Sequence, residues 1–154
     1  MTHIFAALLV AVSAGKDQTV HLYQLDKKTG ALEQRAKYNV PGSPGSQCIS
    51  PDGKTLYISV RSANSVAAFR IDHKEKTLVS LGLTEIGANA AYVATDRTGC
   101  TLLWASYGGG VVGSHAINKD GSVKNGDLSR IETARCAHAI LPDPSNRFAF
   151  VPHT

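Results

Sequence analysis

The stretch "SPDGKTLYISV" at residues 50–60 decides the fold, because the chain repeats its pattern twice. "TDRTGCTLLWASY" at 95–107 and "LPDPSNRFAFVPHT" at 141–154 have the same order: a polar turn that contains Asp, then an apolar run. The three copies begin at residues 50, 95 and 141, at intervals of 45 and 46 residues. A regular period of this length indicates a repeat architecture.

A second phrase recurs in phase with the first. "VHLYQLDKKTGAL", "VAAFRIDHKEKTL" and "VGSHAINKDGSV" begin at Val20, Val66 and Val112. One repeat contains four predicted strands, which in the third repeat are "AAYVA", "TLLWASY", "VVGSHAI" and the stretch around 128–131. Polar hairpin turns separate the strands, and helical spacing is absent. Four strands in about 40–45 residues are typical of one blade of a β-propeller.

The N-terminal segment "IFAALLVAVS" at 4–13 stands before Val20 as "TLYISV" stands before Val66. The repeat therefore predicts that it is the second strand of a first blade. The alternative is a secretory signal peptide, with an apolar region over 4–12 and a cleavage site at Val12-Ser13-Ala14. The strand is favoured because no Lys or Arg precedes the apolar run. It implies a cytoplasmic protein, whereas a signal peptide would imply export.

The sequence thus predicts an all-β chain with thirteen strands, arranged in antiparallel blades of three, four, four and two strands. This is about three and a quarter blades within one partial propeller domain that spans residues 1–154. Closed propellers contain roughly four to eight blades, so the predicted ring is incomplete. We expect either that the chain is the front part of a longer one, which is favoured, or that copies self-associate to complete the ring.

Composition narrows the classes of function. The formal net charge is only +4, the basic residues are scattered and aromatic residues make up 6%, so nucleic acid is not an expected partner. The apolar run at the N-terminus is too short to span a membrane. The three cysteines are widely spaced and predict free thiols in a reducing compartment. Neither a metal nor a cofactor is expected, while a mild positive charge suits an anionic small molecule.

The candidate site follows from the direction of the strands. If the strands of a blade are lettered a to d from the axis outward, the b–c and d–a loops share one face of the disc, and the a–b turns occupy the other. Asp52, Asp96 and Asp143 fall in the a–b turns, where we predict that they cap the turns. The loops of the opposite face supply side chains that bind anions or move protons. These are Arg61, Tyr107 and His138, with Gln47, Asn89, Ser106, Arg135 and His153.

Four stretches together resemble the seven-bladed lactonase family, which includes propeller 6-phosphogluconolactonases and fungal carboxy-muconate lactonising cyclases. They are "VSAGKDQTVHLYQLDKKTGAL", "ISPDGKTLYISVRSANSVAAFRID", "AYVATDRTGCTLLWASYGGG" and "AHAILPDPSNRFAFVPHT". The resemblance covers residues from about 4 to 154 but only the N-terminal half of the family's length.

The resemblance implies hydrolysis of an anionic lactone, 6-phosphogluconolactone, without a metal or cofactor. Arg61, Tyr107 and His138 match polar positions at the family's active-site cleft; Arg61 would hold the anionic group, and His138 would act as general acid and base. The other five candidates would bind substrate. A lactonising cyclase is the alternative enzyme. A propeller module that binds without catalysis, or an inactive truncated fragment, is the alternative outside enzymes.

Overall fold

The computed structural model describes residues 8–154, and its strands fall into four antiparallel sheets. Blade 1 contains β1 (Leu8–Ala14), β2 (Thr19–Leu25) and β3 (Leu32–Asn39). Blade 2 contains β4 (Pro44–Ile49), β5 (Thr55–Val60), β6 (Ser65–Asp72) and β7 (Thr77–Glu85). Blade 3 contains β8 (Tyr92–Thr95), β9 (Thr101–Ser106), β10 (Val111–Ala116) and β11 (Ser129–Glu132). The last pair is β12 (Leu141–Pro142) and β13 (Ala149–Phe150).

The order of strands confirms the predicted partial propeller. In each sheet every strand pairs with its neighbour in sequence, so each blade is a meander of three, four, four or two strands. Within residues 8–154 the helical structure is limited to one 3₁₀ turn, Arg61–Ala63. No helix in this range is long and apolar enough to cross a membrane.

The N-terminal strand is confirmed over its described part. β1 pairs with β2 along its whole length, from Leu8 opposite Leu25 to Ala14 opposite Thr19. Residues 4–7 of the predicted strand lie outside the described residues. The segment 8–14, which the signal-peptide alternative would remove, therefore forms the edge of blade 1.

Apolar layers between neighbouring blades form the core. Leu22 of blade 1 packs in one cluster with Ile58 and Phe69 of blade 2. On the other side of blade 2, Tyr57 packs in a cluster with Trp104 of blade 3. Every residue of β5 is buried, because this strand lies within a sheet that has a neighbouring blade on each face. This explains why "TLYISV" is almost continuously apolar, as is usual for a fully buried strand.

The polar turns between the first and second strands behave as predicted. Asp52 accepts a hydrogen bond from the backbone N–H of Lys54, and Asp143 accepts one from the backbone N–H of Phe148. The Asp96 carboxylate accepts hydrogen bonds from the backbone N–H groups of Cys100 and Thr101 at 2.8 and 2.9 Å. These carboxylates cap their own turns and take no part in the opposite face.

Two of the loop assignments made from the sequence are wrong. Gln47 does not lie in a d–a loop but within β4, where it pairs with Ile58 after an irregularity in register that begins at Pro44. His153 does not lie in a loop either, because it forms an isolated antiparallel bridge with Ala137. In both cases the strand pairing continues further than the turn residues indicate. The outermost strand of blade 3 also begins one residue later than predicted, at Ser129.

Candidate active site

A cleft with a volume of about 800 Å³ lies on the face opposite the aspartate turns. The loops that follow β5, β7, β9 and β11 line it, so residues from blades 2 and 3 contribute together. Five of the eight candidate residues lie in its wall: Arg61, Asn89, Ser106, Tyr107 and His138. The predicted b–c and d–a loops therefore converge at Arg61, Asn89, Tyr107 and His138, whereas Ser106 is the last residue of β9, directly before its loop.

Arg61 is held at two points. It begins the 3₁₀ turn after β5, and its backbone N–H donates to the carbonyl of Ser43 at 2.8 Å. Its side-chain Nε–H donates to Oδ1 of Asn89 at 2.9 Å. Since a guanidinium can only donate, the Asn89 amide must present its oxygen here. Among the described residues, Nη1 and Nη2 make no hydrogen bond. The outer edge of the guanidinium is thus available to an anion.

Ser106 fixes the loop that carries Asn89. Its hydroxyl donates to the carbonyl oxygen of Asn89 at 3.0 Å and accepts from the backbone N–H of Gly109 at 3.3 Å. The residue is only 2% exposed. Its hydroxyl is therefore used within the protein, and its role is to join the loops after β7 and β9 rather than to present a reactive group.

Tyr107 and His138 form an aromatic pair in the same wall. Their ring centroids are 5.6 Å apart and their planes are inclined by 81°, which is the favoured edge-to-face arrangement. The backbone ties the two segments together, since the N–H of Cys136 donates to the carbonyl of Tyr107 at 2.9 Å. Within residues 8–154, neither ring nitrogen of His138 has a hydrogen-bond partner. The imidazole can therefore exchange protons with a bound molecule or with water.

The sequence analysis missed a cation in the cleft wall, Arg130 of β11. Its Nη1 and Nη2 donate to the carbonyl oxygens of Ile86 and Gly87 at 3.2 and 3.4 Å. Its guanidinium carbon lies 5.3 Å from the ring centroid of Trp104. Arg130 therefore holds the loop after β7 from the outer side. The other lining residues outside the eight candidates include Asn64 and Glu132.

A buried polar network stands behind this wall. The indole N–H of Trp104 donates to Nδ1 of His115 at 3.1 Å, and Nε2 of His115 lies 3.2 Å from Oδ1 of Asp127. Because Nδ1 accepts, the proton of the neutral imidazole must be on Nε2. Burial lowers the pKa of His115 below its ordinary value, although the carboxylate of Asp127 opposes this shift. His115 is therefore a neutral structural residue and not a proton carrier for the cleft.

Comparison with known proteins decides the family. The model of the family described as "Lactonase, 7-bladed beta-propeller" matches residues 6–153. The chain belongs to the seven-bladed β-propeller lactonase family.

Curated relatives agree with this assignment, and solved structures share the fold. The chain is 31% identical over 144 residues to a 6-phosphogluconolactonase of Serratia proteamaculans, and the alignment covers 94% of this chain and 43% of the relative. The crystal structure of a candidate 6-phosphogluconolactonase from Bacteroides uniformis superposes with a TM-score of 0.82 at 13% identity, over 93% of this chain and 43% of that one. The chain thus spans less than half the length of the curated relatives it matches.

Three of the candidate residues do not line the cleft. Gln47 donates its side-chain amide to the carbonyl of Ala11 at 3.2 Å, between blades 1 and 2. Arg135 is exposed next to the cleft, and the imidazole of His153 lies 3.1 Å from the carbonyl of Val151. The geometry gives no support for a role of these three residues in binding substrate, and they stay predictions.

Within residues 8–154, neither a cluster of metal ligands nor a disulfide is present. Among residues 8–154, no group of three or more His, Cys, Asp or Glu side chains is placed to hold a metal ion. Cys48, Cys100 and Cys136 are not in disulfides. Burial raises the pKa of Cys48 to about 12, so this thiol is not an activated nucleophile.

Proposed function

We propose that the cleft binds the lactone of a phosphorylated sugar acid, 6-phosphogluconolactone, and takes part in its hydrolysis. One observation carries the proposal: the outer edge of the Arg61 guanidinium and the imidazole of His138, both without a hydrogen-bond partner within residues 8–154, share one cleft in a chain of the lactonase family. The name of the curated relatives supports the choice of substrate. Because the chain spans less than half of those relatives, the activity is proposed for the cleft as part of the complete propeller.

The residues suggest a direct division of roles. The Nη1 and Nη2 groups of Arg61 would donate two parallel hydrogen bonds to the phosphate and so fix the orientation of the substrate. The ring of His138 would accept a proton from a water molecule as the water oxygen attacks the lactone carbonyl carbon. The bond from that carbon to the ring oxygen then breaks, and His138 returns the proton to this oxygen. The product is the open-chain phosphorylated acid.

Tyr107 would support the base rather than react. Its ring packs edge-on against His138, so it limits the orientations of the imidazole. The phenol oxygen has a weak partner, the hydroxyl of Thr154 at 3.4 Å. A residue in this position influences catalysis through the base that it contacts, and its removal should affect kcat more than KM.

The test compares two histidine substitutions. Lactone hydrolysis is followed as acid release in a pH-stat, after subtraction of the spontaneous rate in buffer. His138→Gln should lower kcat by about 10²–10⁴-fold, which is the usual contribution of a general base. His73→Gln is the matched control, since His73 is an exposed histidine outside the cleft whose Nε2 lies 3.0 Å from the carbonyl of Gly53. With the wild type above the buffer rate, an equal rate in His138→Gln would refute the role of His138.

A second candidate is an anion-binding module without catalysis. It is favoured by the outer edge of the Arg61 guanidinium, which can bind an anion whether or not a general base acts beside it. It predicts that 6-phosphogluconate binds while lactone disappears at the buffer rate. Turnover of a carboxy-muconate in place of the lactone would instead support the lactonising cyclase.

We also propose that β12 and β13 pack against a further propeller blade. Leu141, Phe148 and Phe150 are 48%, 62% and 65% exposed, so large apolar side chains of this strand pair are left uncovered. Light scattering tests the case in which a second copy supplies the blade: a defined oligomer supports self-association, and a monodisperse monomer contradicts it.

The free thiols of the three cysteines support a reducing, cytoplasmic location for the protein.

A further inference from the structure

We propose that Gly45 and Asn89 are positioning residues that form a seat for Arg61 and aim its guanidinium into the cleft. Gly45 supports the aliphatic part of the side chain, and Asn89 holds Nε. The ligand named below rests on the proposed function, whereas the geometry of the seat does not. This assigns to Asn89 a different role from the direct contact with substrate that the sequence suggests.

Gly45 lies under the side chain of Arg61. A Cβ atom at residue 45 would stand 2.8 Å from Cδ and 3.2 Å from Cγ of Arg61, and 3.0 Å from Oγ of Ser59. The 2.8 Å contact is closer than real Cβ atoms approach, so a larger residue would displace Cδ of Arg61, and the other two contacts would be tight. The φ angle of Gly45 is outside the left-handed region, and the backbone therefore does not itself require glycine. The space needed by Arg61 is the reason for glycine at this position.

The irregularity of β4 brings Gly45 to this place. Pro44 pairs with Val60, but the register shifts before Gln47 pairs with Ile58. A shift of this kind bends a strand and changes where its residues face, which is a common feature beside functional sites. Here it lays the backbone of residue 45 against the side chain that follows β5.

Asn89 holds the other end of the side chain. Its Oδ1 accepts the Nε–H of Arg61 at 2.9 Å, while its own carbonyl accepts the hydroxyl of Ser106 at 3.0 Å. The neighbouring residues Ala88 and Ala90 are buried, so the loop is anchored on both sides of Asn89. With Cγ, Cδ and Nε held, only the two terminal amino groups are left for a ligand.

This arrangement reduces the entropy that binding must remove. A free arginine side chain has considerable rotamer freedom, and a ligand that immobilises it loses affinity for that reason. An arginine that is already held in its binding geometry avoids most of this loss. We therefore expect Gly45→Ala to weaken the binding of a bidentate anion by about tenfold without removing any charge.

The first experiment observes Arg61 itself and needs no ligand. In ¹⁵N-labelled protein, hydrogen exchange of the Arg61 Nε–H, which is assigned by its loss in Arg61→Lys, should be slow in the wild type. It should be at least tenfold faster in Gly45→Ala and in Asn89→Ala. Asn89→Asp keeps an acceptor oxygen and should keep the protection. An exchange rate in Gly45→Ala equal to that of the wild type would overturn the proposed positioning of Arg61 by Gly45.

The control is Gly108→Ala, at another glycine of the cleft wall whose φ is likewise outside the left-handed region. A Cβ at residue 108 would meet no atom within 4 Å apart from its chain neighbours. This variant adds the same methyl group without a contact to Arg61 and should leave the exchange of Arg61 unchanged. If Gly45→Ala does not fold, as judged by circular dichroism, the pair Asn89→Ala and Asn89→Asp decides the matter alone.

The second experiment measures the binding of 6-phosphogluconate by calorimetry. Gly45→Ala should raise the Kd about tenfold in the presence of Arg61 and have no effect in the Arg61→Ala background, because the two residues act through the same group. An equal loss in both backgrounds would overturn the coupling. If the wild type does not bind 6-phosphogluconate, the proposed function fails, while the exchange experiment still decides whether the seat exists.

Discussion

The two faces of the blades use polar side chains in opposite ways. At the a–b turns, the carboxylates of Asp52, Asp96 and Asp143 accept hydrogen bonds from groups of their own turns. At the cleft, the outer edge of Arg61 and the ring nitrogens of His138 have no partner within the described residues. Satisfied groups stabilise the fold, whereas unsatisfied and accessible groups are available for a ligand.

The repeat pattern in the sequence shows the same difference between structural residues and residues of the candidate site. The aspartate recurs in each copy of the motif, as a structural residue must when each blade needs the same turn. Arg61 and Tyr107 each follow the second strand of successive blades, at an interval of 46 residues, and they are different residues. In a repeat protein, a polar position that changes from one copy to the next is therefore a better indicator of a site than one that recurs.

The largest effect is expected from Asp96→Ala on the turn face. The carboxylate of Asp96 accepts hydrogen bonds from Thr98, Cys100, Thr101 and Asn146, and the last of these joins blade 3 to β12–β13. Loss of this set should lower the free energy of unfolding by about 3 kcal/mol, measured with urea. The Kd for 6-phosphogluconate should not change, and a change larger than threefold would contradict the separation of the two faces.

Low pH should remove the contribution of Asp96 to the free energy of unfolding. Burial alone would raise the pKa of Asp96, but hydrogen bonds from Thr98 and Asn146 outweigh it and lower the pKa to about 2 from the ordinary value of 3.8. A carboxylate whose pKa is lower in the folded state than in the unfolded state stabilises the fold at a pH above the pKa of the unfolded state. This stabilisation is lost as the pH falls through the pKa of the folded state. The difference in stability between the wild type and Asp96→Ala should therefore shrink between pH 4 and pH 2. A difference that stays constant over this window would refute the assignment.

The next effect is expected from Arg61→Ala in the cleft. Removal of the guanidinium, whose Nη1 and Nη2 make no hydrogen bond within residues 8–154, should weaken the binding of 6-phosphogluconate by about 2 kcal/mol, since hydrogen bonds to charged groups contribute on the order of 1.5–3 kcal/mol. The free energy of unfolding should change by less than about 0.5 kcal/mol, as is usual for an exposed side chain. Arg70→Ala removes a charge of the same sign outside the cleft and is the control. Equal losses of affinity in the two variants would mean that only net charge matters.

A smaller effect is expected from the titration of His115 behind the cleft. Burial lowers its pKa in the folded state, while Asp127 and Arg130 are the charged groups that face it. The unfolded chain then binds a proton at higher pH than the folded one, so stability is fully present above about pH 6.5 and decreases below it. The slope should be at most about 1.4 kcal/mol per pH unit. Urea unfolding of His115→Gln between pH 5 and 7 should show a flatter profile, and an unchanged slope would contradict this.

The smallest effect is expected from Tyr107→Phe. The substitution keeps the ring that packs against His138 and removes only the hydroxyl, whose partner Thr154 is 3.4 Å away. Stability and the affinity for 6-phosphogluconate should both change by less than about 0.5 kcal/mol. A loss of more than tenfold in kcat would instead show that the phenol acts directly on the substrate.

The sequence predicts the blades well because the period of the motif and the polarity of its turns are local properties. The same logic brings Arg61, Asn89, Ser106, Tyr107 and His138 to one face. It fails for Gln47, because an irregularity in strand pairing leaves no clear mark in the residues themselves. It fails for Arg130 as well, because a residue of an outer strand reaches the cleft only through its long side chain and through a loop that crosses beside it. Such contacts depend on tertiary structure.

Trp104 is the only tryptophan of the chain, and it lies buried in blade 3 with its indole N–H bonded to His115. Its fluorescence therefore reports on one blade, whereas circular dichroism averages over all of them. Repeat proteins unfold either as one unit or repeat by repeat, according to how strongly neighbours are coupled. Coincident urea curves from the two signals would mean that the blades unfold together. A fluorescence transition at higher urea would mean that blade 3, which has a neighbour on each side, stays folded at urea concentrations that unfold the other strands.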